Sequence, residues 1–217
     1  MPFIVITFLM SRWAGGLVTR YGAKLPLVVG PTIAAAGFIL FALPGTGGSY
    51  WTTFFPAVVV EGFGMSLVIA PLTTTALNSV EGRHSGLASG VNNAVSRTAS
   101  LLAIAVLGIF VFAAFSSGLD SRVENLDLTP EQRATLESEK LDLAGAEVPE
   151  GVRGETAAAV ERAVDEAFVG AFRLAMFIAA GLAVTSALAA AVLIEGKGQA
   201  DKPEEEAEPE QGASVPT

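Results

Sequence analysis

One carboxylate, Glu61, stands inside a stretch, 51–72, that is otherwise uncharged and mainly apolar. With Trp51 as an interfacial anchor, the ten residues to Glu61 at ~1.5 Å each put the carboxyl about 15 Å along a helix, near the midplane of a bilayer. Insertion scales price an acidic residue there at roughly 2.5–3.5 kcal/mol, so such a residue usually faces a cavity, a partner or a substrate path. Two roles fit. In one, Glu61 takes up and releases a proton or pairs with a cationic ligand; in the other it is neutral, hydrogen-bonded to a neighbouring helix, and structural. Gly62 and Gly64 beside it lack side-chain bulk and suit close helix approach, and Pro56 and Pro71 can bend the same helix.

Further along, Ser89, Asn93, Ser96 and Ser100 recur at spacings of four, three and four, one face of a helix. A polar stripe in a membrane helix points inward, giving Asn93 a place in a cavity and Ser96 and Ser100 a place at a helix interface. Arg97 falls near the cytoplasmic side of this span, where it snorkels, pairs with a carboxylate or forms a gate contact. Arg173 precedes the last apolar run, a snorkelling position, and His84 sits in a polar loop. No phosphate-cradling loop is present, one histidine and no cysteine cannot build the usual metal sites, and no Lys/Arg cluster suggests nucleic acid. Catalytic residues, metal ligands and cofactors are therefore not expected.

The elements that must position these side chains follow from composition. The 217 residues are 51% hydrophobic, and of 22 acidic residues 13 lie in 116–168 and 7 lie from Glu195 onward. The net charge of -9 thus belongs to one loop and one tail, and the rest reads as membrane protein. Four apolar segments, 25–43, 51–72, 87–115 and 174–194, reach or approach the ~20 residues that cross ~30 Å of hydrocarbon. A fifth, 1–10, is half a span and reads as the end of a partial helix, with no positive region before it to make a signal peptide. The expected class is all-α and polytopic: 1–115 a partial helix and three spans with short loops, 116–168 an acidic extracytoplasmic loop with helical segments, 169–195 the final span, 196–217 a disordered acidic tail.

Arg12, Arg20 and Lys24 in the first connection and Arg83 and Arg97 in or beside the third make those cytoplasmic by the positive-inside rule, which also places the tail in the cytoplasm. Within the acidic loop, Thr129, Pro130 and Gln132 form a helix start, and the amphipathic stretch from Glu155 is expected to run unbroken into the last span.

The first connection, GGLVTRYGAKLPL, resembles the loop signature of the major facilitator superfamily through Gly15, Leu17, Arg20, Gly22 and Lys24, with Thr19 where that signature carries an acid. GFGMSLVIAPLTTTALNSV from Gly62, GLASGVNNAVSRTASLLAIAVLG from Gly86 and AFVGAFR from Ala167 are similar to the last third of its fourteen-helix drug:proton antiporters. The resemblance implies a fold of about four transmembrane helices plus a partial one, part of the C-terminal half of a major facilitator. It implies the C-terminal portion of a secondary active transporter, a proton-coupled multidrug exporter of the cell membrane. The implied partners are the lipid bilayer, protons, small amphipathic or cationic molecules, and a missing N-terminal half or a partner chain. A noncatalytic membrane scaffold working through the acidic loop, and an inactive truncated remnant, are the alternatives.

Overall fold

In the computed structural model, which describes residues 2–47, 49–78 and 82–194, a first helix α1 (Pro2–Tyr21) is followed by α2 (Lys24–Ala42), the short α3 (Tyr50–Thr53) and α4 (Phe55–Asn78). A 3-10 turn, Gly82–His84, leads into α5 (Ser85–Val123); then come α6 (Pro130–Glu139), a 3-10 segment Lys140–Gly145, and α7 (Gly154–Leu193). No strand occurs among the described residues, and four helices, α2, α4, α5 and α7, are long and apolar enough to cross a membrane.

The first helix is twice the length expected. The half-span 1–10 continues to Tyr21, so Gly15, Leu17 and Arg20 lie on α1 with Arg12, and the connection to α2 is only Gly22 and Ala23. Two adjacent glycines cost a helix about 1 kcal/mol each relative to alanine, which packing of α1 against α4 can override. The chain breaks at Gly22, whose φ of 79° is the left-handed helix-ending conformation a glycine adopts without a Cβ clash. Lys24 is then the first residue of α2.

At the centre, α2 packs against α4 on one side and α7 on the other. Gly30 and Gly37 of α2 and Gly64 of α4 bring backbones together: a Cβ on Gly64 would sit 2.6 Å from Ala34 N and 2.9 Å from Gly30 O. Small residues at such crossings replace the hydrophobic drive that lipid removes with close van der Waals contact. Gly62 serves α1 similarly, its absent Cβ falling 3.1 Å from Cγ2 of Ile6.

The two longest helices outrun the bilayer. At ~1.5 Å per residue, the 39 residues of α5 and 40 of α7 measure about 60 Å each, nearly twice the hydrocarbon thickness. α7 thus joins the amphipathic stretch to the last span without a break, as expected, while α5 takes over the first residues of the region read as loop. The extensions meet in a cap with its own core: Phe115, Leu119 and Val123 of α5, one turn apart, against Val160, Ala163, Val164, Ala167 and Ala171 of α7, closed by Leu128 and Leu136.

Local polar bonds complete the cap. The capping box forms as expected, Gln132 N donating to Thr129 Oγ1 and Thr129 N to Gln132 Oε1. Arg133 donates to the carbonyls of Glu124 and Leu126, and Glu147 N to Glu139 Oε2. Lys140, only 4% exposed, pairs with Asp120 Oδ1 at 2.7 Å and with Glu137. Burial works against its ammonium, but the hydrogen bonds and charges of those two carboxylates outweigh it and hold the group above its ordinary value. The acidic tail, 196–217, lies outside the described residues.

Candidate functional site

Along α4 the buried residues Glu61, Gly64 and Leu67 recur every three positions, and each of them meets α2, at Gly37, Ala34 and Gly30 respectively. Glu61 is 7% exposed, and its Oε2 is buried with no hydrogen-bond partner. What stands opposite is backbone: a Cβ on Gly37 would lie 2.6 Å from that oxygen. Among the described residues no neighbouring-helix donor reaches Oε2, as a purely structural glutamate would need, and a buried polar atom left unpaired costs about 1–3 kcal/mol. Such a carboxyl is tolerated at least cost while it carries its proton.

Next to this stripe, on another face of α4, a groove of about 420 Å³ runs between α1, α2 and α4. Ile6, Leu9 and Met10, Ile33, and Val59, Val60 and Phe63 line it, without a polar side chain.

Asn93 and Arg97 are not brought to Glu61. Both are exposed on α5, whose only buried residues, Phe115, Leu119 and Val123, lie farther on. Among the described residues, the stripe they share with Ser96 and Ser100 is therefore covered by no helix. Ser100 Oγ instead donates to Ser96 O of its own helix at 2.8 Å, a bond that satisfies a serine hydroxyl without any neighbour. The signature residues Gly15, Leu17, Arg20, Gly22 and Lys24 gather at the far end of α1, away from Phe3 and Ile6, which meet Gly62 beside Glu61. His84 is exposed in its 3-10 turn. Among the described residues, no three His, Asp or Glu side chains converge as metal ligands.

Two contributors escaped the sequence reading. Gly37 looked like one more small residue in an apolar span. Arg173, read as a snorkelling side chain, donates from Nε to Ala42 O at 3.0 Å and from its NH2 group to Pro44 O at 3.1 Å, closing the C-terminal carbonyls of α2 from α7. Nothing local signals a pairing across 131 positions.

No family model matches the chain. It is 29% identical over 149 residues to the multidrug resistance protein Stp of Mycobacterium tuberculosis, an alignment covering 66% of this chain and 26% of that protein. It is 30% identical over 133 residues to a triacylglyceride transporter of Mycobacteroides abscessus, covering 52% of this chain and 26% of the relative. A probable actinorhodin transporter of Streptomyces coelicolor is 29% identical over 126 residues, 57% of this chain and 21% of its own length. The chain thus spans about a quarter of the length of the curated relatives it matches, of which two are named as transporters and one as a multidrug resistance protein.

Proposed function

We propose that this multi-pass membrane chain is part of a secondary active transporter of the major facilitator kind, residing in the cell membrane and exporting apolar or amphipathic molecules in exchange for protons. The observation that carries the reading is Glu61, a buried carboxyl on a membrane-spanning helix whose Oε2 has no partner among the described residues, because intramembrane ionisable groups mark ion and substrate paths. The apolar groove beside it and the similarity to proteins named for multidrug resistance and for triacylglyceride and actinorhodin transport agree with an apolar cargo. Asn93 and Arg97, exposed on α5, serve the same pathway by facing the rest of the transporter. A second reading, a membrane scaffold, is favoured by one observation, the cap's own hydrophobic core.

The test is transport by the full-length gene product in inside-out vesicles under an imposed pH gradient. Substrate uptake is expected to follow the gradient, to collapse with a protonophore, and to release protons. Glu61→Gln, which keeps size and hydrogen-bonding capacity, is expected to lower gradient-driven uptake roughly tenfold, a barrier change of about 1.4 kcal/mol. Uptake indifferent to the gradient leaves the scaffold reading.

The same orientation puts the cap outside and the turn before α5 in the cytoplasm. Cysteines placed at Ser49 and Ser138, both exposed, are expected to react with an impermeant thiol reagent in intact cells, and one at Ser85 is not. Labelling at position 85 from outside reverses the assignment.

A further inference from the structure

Glu61 and the apolar groove use different faces of α4. Val59, Val60 and Phe63 turn to the groove, whereas Glu61 shares with Gly64 and Leu67 the stripe that meets α2. At Gly37 a single added carbon would fall 2.6 Å from Glu61 Oε2, 3.0 Å from Glu61 N and 3.1 Å from Glu61 Cα. A space that refuses one methyl group admits a hydrogen atom but no ammonium or guanidinium group of a ligand.

We infer that the α2–α4 seam is a proton-only site in which Gly37 is the positioning residue, letting the two helices close on the Glu61 carboxyl while an organic cation is kept out. The inference rests on the proton-exchange reading above and names its mechanism. Closed against α2, Oε2 has no donor among the described residues to compensate a negative charge, so the closed seam suits the protonated form. Ionisation requires α4 to part from α2 and let water in, and reprotonation permits closure. Proton occupancy thereby biases a helix–helix separation, the differential interaction that a coupled conformational change needs.

No titratable side chain of the packed elements competes for this role. The buried face of α2 is Pro26, Leu27, Gly30, Pro31, Ala34, Ala35, Gly37 and Ala42, and its one charge, Lys24, opens the helix about 20 Å from Gly37. On α1, Phe3 and Ile6 meet Gly62, with Arg12 six residues beyond Ile6 and Arg20 and Tyr21 at the end of the helix. Tyr50 belongs to α3, packed at the start of α4, and Arg97 to α5. Oε2 of Glu61 bonds to none of them.

The experiment uses the full-length gene product in proteoliposomes, with ethidium as a cationic probe and trioleoylglycerol as a neutral one, and follows probe-induced proton release across external pH. Gly37→Ala is expected to move the pH midpoint of release by about one unit, equally for both probes. Glu61→Asp added to it is expected to move the midpoint back, because the shorter stem withdraws the carboxyl from the new methyl. Gly30→Ala is the packing control. Its Cβ would press on Val68 Cγ2 at 2.7 Å and Gly64 O at 3.0 Å in the same seam, away from Glu61, so it is expected to slow transport without moving the midpoint. Identical profiles for Gly37→Ala and Gly30→Ala overturn the inference, as does a Glu61→Gln defect confined to ethidium. If Gly37→Ala fails to fold, the decision passes to Glu61→Gln in the wild-type seam: an equal loss of proton release with ethidium and with trioleoylglycerol is expected, and a loss confined to ethidium overturns the inference. Unchanged proton release by Glu61→Gln sinks the exchange reading itself, whereas an inactive Glu61→Gln beside an unshifted Gly37→Ala sinks only the role of Gly37.

Discussion

Removing both carboxylates that face Lys140, by Asp120→Asn together with Glu137→Gln, is expected to destabilise the cap by about 3–5 kcal/mol, while Lys140→Met is expected to cost about 1 kcal/mol or nothing. The asymmetry comes from burial. The lysine side chain is 5% exposed, whereas those of Asp120 and Glu137 are 57% and 66% exposed. Without its partners the ammonium is a buried charge with no compensation; without the lysine the carboxylates stay in water, and methionine fills the volume of the stem. Trypsin cleavage at Arg133, on α6, and thermal unfolding in detergent report the difference. A Lys140→Met variant as damaged as the double amide variant would show that packing of the stem, not charge burial, holds the site.

The same ion pair sets an alkaline limit. Because the folded ammonium is held above its ordinary value of 10.5, its stabilisation is complete below that pH and is lost as pH rises through the folded value. Wild-type cap should loosen there, and the Lys140→Met cap should not follow it.

Gly64→Leu is expected to cost ~3 kcal/mol or more and to separate α2 from α4. The added Cβ would meet Ala34 N at 2.6 Å, Gly30 O at 2.9 Å and Ala34 Cα at 3.0 Å, all backbone atoms that cannot swing aside. Gly62 supplies the middle of a graded series, since its nearest neighbours are side-chain atoms of Ile6 at 3.1 and 3.3 Å, which can give way. Gly108→Leu on α5 supplies the floor, with nothing within 4 Å and a gain of about 0.8 kcal/mol or so in helix propensity. Unfolding in mixed micelles should rank the variants Gly64, Gly62, Gly108 in falling cost. Equal costs would refute backbone contact as the reason for glycine at 64.

Much of this architecture was legible without coordinates, because the responsible signals are local. Runs of apolar residues of spanning length gave α2, α4, α5 and α7, and the run carrying Glu61 is α4, although Trp51, expected on the same helix, lies on the separate α3. Thr129 and Gln132, three positions apart, announced the start of α6, and an amphipathic pattern passing into an apolar one announced the unbroken α7. Element ends were less legible: Gly15 and Gly16 looked like a loop and are helical, and Ser116 to Val123 looked like a loop by polarity and continue α5 outside the bilayer.

The sequence by itself determined that the chain is helical, that it crosses a membrane, and that one carboxyl is carried into the apolar layer. Only the tertiary structure decided what that carboxyl meets. Gly37 lies 24 positions from Glu61, Arg173 lies 131 from Ala42, and Lys140 lies 20 from Asp120. Periodicity fixes which residues share a face of one helix, but which two faces meet depends on packing among all of them, and the polar stripe of Asn93 and Arg97 shows the limit: the period puts them on one face, and among the described residues no helix covers it.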